Sequence, residues 1–66
     1  MKNQILVQQM FEDFELGPEE NLAEVISDRL NANQRLTHGN LLCIHQVIHQ
    51  APNKYVIIIN ELKTTE

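Results

Sequence analysis

Hydrophobic positions in this chain fall into short blocks whose periods differ from one block to the next. In residues 4–11, QILVQQMF, apolar side chains crowd a short extended run and predict a strand. Simple alternation sets Ile5, Val7 and Phe11 on one face and Leu6 and Met10 on the other. A polar connector, EDFELG, is expected to follow at 12–17. The next block, GPEENLAEVISDRLNAN, changes period. Leu22, Val25, Ile26 and Leu30 form one helical stripe, with Glu20, Glu24, Asp28 and Asn31 on the opposite side. Gly17 suits an N-cap, Pro18 the first helical position, and Glu19 and Glu20 the positive end of the helix dipole. The pattern predicts a one-sided helix of about 15 residues.

QRLTHGN reads as a loop broken by Gly39 and Asn40. Two further strands are expected, LLCIHQVIHQ at 41–50 and YVIIINEL at 55–62, joined across APNK with Pro52 and Asn53 at the centre of a turn. A regular ladder closing at Gln50 and Tyr55 sets His49 against Val56, Val47 against Ile58, His45 against Asn60 and Cys43 against Leu62. The run from Tyr55 to Ile59 is apolar on consecutive positions, as in strands covered on both faces. It therefore belongs in the middle of the sheet. The expected fold is α+β, a β-α-β-β chain with a three-stranded antiparallel sheet in the order 1-3-2 and one helix packed on one face. The helix stripe is expected to pack on Ile44, Ile48, Ile57 and Ile59.

One helix covers one face. The other should carry Cys43, His45, Val47 and His49 from the second strand and Val56, Ile58 and Leu62 from the third. That surface is the expected interface of a homo-oligomer, most simply a dimer.

Size sharpens this expectation. The chain has 66 residues, a single domain over 1–66, and a domain so small buries only about 60% of the surface its unfolded chain exposes. A single cysteine makes no internal disulfide and fits a reducing, cytoplasmic setting. No apolar run has the length of a secretory signal or a membrane helix. Residues 1–30 hold two basic and seven acidic side chains, net −5, and residues 31–66 three basic and two acidic, net +1. With no cluster of Lys and Arg, neither nucleic acid nor an anionic membrane is an expected partner.

The candidate chemistry lies in LLCIHQVIHQ. Thiolate and imidazole are good zinc ligands, and Cys43 and His45 are the pair that spacing brings nearest to a metal geometry. His49 stands roughly 13 Å beyond His45 along a strand and cannot share that ion. Cys43, His45 and Asn60 on one face make a Cys/His/Asn set, but a sheet centre supplies neither an activated thiolate nor an oxyanion hole. The expectation is no catalytic residue, no metal and no cofactor. The acidic run from Glu12 to Glu24 lacks a calcium-loop pattern and reads as a solvated face.

LLCIHQVIHQ followed by YVIIINEL, with the order strand, charged helix, strand, strand, resembles the small sigma-E-controlled sporulation-type proteins of endospore-forming bacteria. That resemblance implies no activity and no catalytic residues. The order is also similar to that of dodecins, whose hollow shells bind flavin on a tryptophan. This chain has no tryptophan. Either resemblance implies a small self-associating module of bacterial or phage origin. The sequence reading is thus a non-enzymatic oligomeric or adaptor protein. The alternative is a small-molecule or metal-binding module using the Cys43, His45 and His49 face.

Overall fold

The computed structural model describes residues 3–65. The elements are β1 (Asn3–Glu15), α1 (Leu22–Gln34), β2 (Leu41–Ala51) and β3 (Lys54–Thr65). β3 lies in the centre of an antiparallel sheet of order β1-β3-β2, with α1 on one face. Ile57 and Ile59 are fully buried, and with Phe14 and Leu42 they form the core. Each fully buried isoleucine contributes roughly 1.5–3 kcal/mol. The stripe Leu22, Val25, Ile26 and Leu30 packs onto them as expected, yet no helical residue is completely buried.

The expected boundaries move at three places, the simplest being β3, which runs over Lys54–Thr65 where 55–62 was expected. β1 runs on through Glu12–Glu15, where a connector was expected. Alternation continues there because Phe14 stacks on Tyr55 and the Glu12 carboxylate finds partners in Arg29 and Asn33 of α1. The helix starts at Leu22 with Asn21 as N-cap, its side-chain oxygen accepting from the Glu24 N–H at 3.2 Å. Gly17 and Pro18 lie outside it. The Glu20 carboxylate curls back to accept from the Gly17 N–H at 2.7 Å, and the Glu20 N–H donates to the Gly17 carbonyl at 3.1 Å. These two bonds close a turn before the helix. The polar end of GPEENL serves the turn and the Asn cap, so the apolar stripe and the helix begin together.

The hairpin register differs more. Ala51 pairs with Lys54, leaving Pro52 and Asn53 as a two-residue loop. Two-residue hairpins favour turns with positive φ at the first central position. Proline cannot adopt one, and Asn53 is not among the residues with positive φ. The mismatch in twist is taken up by a bulge at Gln50, and a second follows at His45. Each bulge shifts the pairing by one residue. Consequently His49 faces Tyr55, Val47 faces Ile57, Ile48 faces Val56 and Cys43 faces Asn60. A bulge at Val7 does the same to β1, uniting Leu6 with Phe11 on one face and Ile5 with Met10 on the other.

The molecule is elongated. Its radius of gyration is 13.4 Å and its extents are 45 × 20 × 16 Å, where a compact chain of this length would have a radius of about 10.8 Å. The cause is a mismatch of lengths. Thirteen strand residues reach about 43 Å, while the 13-residue helix spans about 20 Å.

Candidate functional site

The face of the sheet away from α1 is built in rows across the three strands. Leu6, Leu62 and Leu41 form one row, and Gln9, Asn60 and Cys43 the next. Phe11, Ile58 and Gln46 follow, then Asp13, Val56 and Ile48. Paired residues share a face, so these rows are fixed by the register. Phe11 is 65% exposed, Leu6 52% and Leu41 47%, whereas Ile58 is buried by its neighbours at 7%. Cys43, Ile48, Val56 and Leu62 are half-buried. Among the described residues, the charged groups of this face are Asp13, Glu15 and Lys54 at its hairpin end. The rest is apolar or carries neutral polar groups, the amides of Gln4, Gln9, Gln46 and Asn60 and the Thr64 hydroxyl.

The structure therefore keeps Cys43, Val56, Ile58 and Leu62 together and removes Val47 and His49 from their company. Val47 and His49 lie on the helix side because the bulge at Gln50 turns them over. His45 occupies the second bulge, away from a direct partner. Ile48 crosses the other way, from the expected helix contact to the open face. Leu6, Phe11 and Leu41 are additions, delivered by the bulges at Val7 and His45. A signal was present in the sequence. On the two edge strands, three adjacent polar doublets (Gln8-Gln9, His45-Gln46, His49-Gln50) break the alternation and lie at or beside a bulge, whereas Glu12-Asp13 sits in a regular ladder.

On the helix side, His49 stacks on Tyr55 at 4.7 Å between centroids, and Tyr55 on Phe14 at 5.7 Å. The Arg29 guanidinium carbon lies 4.9 Å from the Phe14 ring centre and completes this column. It joins all three strands to the helix. At the opposite end, Glu61 is buried at 8% exposure. It accepts from Asn40 Nδ2 at 2.8 Å and from Gln8 Nε2 at 2.8 Å. The Asn40 amide, then the Gln8 amide, hold its carboxyl below the ordinary value of 4.5, with burial opposing them and nearby His38 adding to the effect.

Asn40 is itself held by the turn that ends α1. Gln34 Nε2 donates to the Asn40 carbonyl at 2.6 Å and to the Thr37 hydroxyl at 2.9 Å, while Gln34 Oε1 accepts from the Leu42 N–H at 3.2 Å. The Thr37 hydroxyl lies 2.9 Å from both the Gln34 and Asn40 carbonyls, and its single proton serves one at a time. His38 (φ 54°) and Gly39 (φ 100°) take the left-handed conformations that reverse the chain. This network anchors the loop to β3, and its polar groups are satisfied by one another.

Among the described residues, no three His, Cys, Asp or Glu side chains converge as a set able to hold a metal ion. Cys43 is a free thiol, half-buried beside Asn60. A groove of about 220 Å³ at the hairpin end is lined by Asp13, Phe14, Glu15, Gln50, Lys54 and Tyr55. It falls below the roughly 300–1,000 Å³ of small-molecule pockets. Among the described residues, no helix is long and apolar enough to cross a membrane. No family model, curated protein or solved structure matches this chain.

Proposed function

We propose that this chain is a non-enzymatic module that acts by protein–protein contact, and that its open sheet face pairs with the same face of a second copy. The observation that carries the reading is the apolar, nearly uncharged surface around Leu6, Phe11, Leu41 and Ile58 in a chain of net charge −4. An acidic protein repels itself over most of its surface. Here the charges of the described residues stand on the helix side and at the hairpin end, and the apolar rows are free of that repulsion.

Surface area points the same way. The chain exposes 4927 Å², where a compact monomer of 7.7 kDa would expose about 4,300 Å². The excess of about 600 Å² approaches the ~800 Å² that each partner buries in a standard interface. Face pairing would give two sheets about 10 Å apart with a helix on each outer side. Edge pairing is the competing geometry. Bulges at Val7, His45 and Gln50 interrupt both edge strands, a device that discourages it. A cytoplasmic setting suits the free Cys43.

Sedimentation equilibrium at micromolar concentration tests the proposal. The wild-type chain is expected as a dimer and Phe11→Glu as a folded monomer, because an exposed side chain tolerates the change until a partner covers it. A wild-type chain that stays monomeric at high micromolar concentration, or a Phe11→Glu chain that still dimerises, overturns the reading.

A further inference from the structure

We infer that Asn60 lies on the two-fold axis of this dimer and hydrogen-bonds its own symmetry mate. The inference rests on the face-to-face pairing proposed above and adds what sets its register. Two constraints intersect at this residue.

Across the strands, β3 is the centre of the face, so an axis on β3 covers β1 and β2 equally. Along the strands, the amide row of Gln9 and Asn60 lies between the Leu62 row and the Ile58 row. If that row met either neighbouring row of the partner, Asn60 would be set against Leu62 or Ile58, and the one amide of those rows, Gln46, stands a strand away on β2. Only its own mate sets an amide on the central strand at the same height.

The chemistry of the row is self-complementary. Gln9 Nε2 donates to Asn60 Oδ1 at 2.8 Å. This leaves Asn60 with its Nδ2 donors and a second lone pair on Oδ1. A carboxamide facing its two-fold image makes two reciprocal N–H···O bonds, each Nδ2 donating to the other Oδ1. A wholly apolar partner would leave those groups unpaired. A single buried asparagine fixes register in helical zippers by the same logic.

The test uses Asn60→Asp and Asn60→Lys, each alone and then mixed, in sedimentation equilibrium at pH 7. Each variant alone should self-associate at least about tenfold more weakly than wild type, because like charges meet at the axis. The equimolar mixture should recover dimer. A partly exposed residue tolerates both changes, and circular dichroism checks the fold. Independently, a wild-type dimer made from nitrogen-labelled and carbon-labelled chains should show an intermolecular contact between the Asn60 side-chain amide of one and the Asn60 β protons of the other. A dimeric wild type without that contact, or Asn60→Asp that self-associates within about threefold of wild type, overturns the inference and leaves face pairing standing. A monomeric wild type removes both.

Discussion

Arg29 of α1 reaches Glu12 of β1, Nη1 to Oε1 at 3.2 Å, and the same guanidinium stands over Phe14. One side chain thus ties the helix to the edge strand by charge and by ring stacking. Both partners are partly exposed, 38% and 26% by side chain, so solvent screening reduces the ion pair's share. Arg29→Ala should cost about 1–2 kcal/mol in urea unfolding. Arg29→Lys should recover only part of it, since an ammonium keeps the charge and loses the planar stack. Equal stability of the Ala and wild-type chains would show that the column contributes nothing.

The core predicts an order of sensitivity. Ile59 is completely buried, so Ile59→Ala should cost about 2–5 kcal/mol. A domain of this size is worth only about 3–10 kcal/mol in all. Ile26 in the stripe is half-buried, and Ile26→Ala should cost less, about 1–2 kcal/mol. Urea midpoints in the reverse order would mean that α1, and not β3, is the centre of the packing.

Glu61 predicts a pH dependence. Its folded pKa is lowered by Asn40 and Gln8, so it contributes stability that is present above its unfolded value of 4.5 and is lost as pH falls through the lower folded value. Thermal unfolding of wild type should therefore weaken progressively below about pH 4.5. Glu61→Gln should be less stable at pH 7 and lose less on acidification, the two curves converging at low pH. Parallel curves would assign the acid sensitivity to other carboxylates.

Gly39 separates conformation from sterics. Its φ is 100° and an added Cβ would meet nothing within 4 Å. Gly39→Ala should cost about 1 kcal/mol through backbone strain alone. An unchanged denaturation midpoint would mean that the turn relaxes.

The strand order was readable because YVIIINEL is apolar on consecutive positions, and such a strand needs neighbours and cover on both faces. The helix stripe was readable because its four apolar residues all meet the core. Face membership in the edge strands was harder to read. A period of two assumes an uninterrupted ladder, and each bulge inverts all that follows, which is why His49 went with the wrong neighbours. The exposure of Phe11 was hidden by the same shift at Val7. Glu12 and Phe14 looked like connector because the groups that accommodate them, Arg29 and Tyr55, lie 17 and 41 positions further along.

The strand order also sets a sequence of folding events. β2 and β3 meet across a two-residue loop, so their hairpin can close in microseconds. β1 must then add to the other side of β3, and its pairing reaches from Asn3 to Thr65. That long closure makes β1 the last strand to arrive. Until it does, β3 offers an open edge that the β1 of a neighbouring molecule fits equally well, and the exchanged product would be an intertwined dimer. Refolding at high concentration should therefore yield a slowly exchanging fraction that refolding at high dilution does not. The centre of the sheet is where this chain is most open to a copy of itself while it folds, and where it is best sealed afterwards.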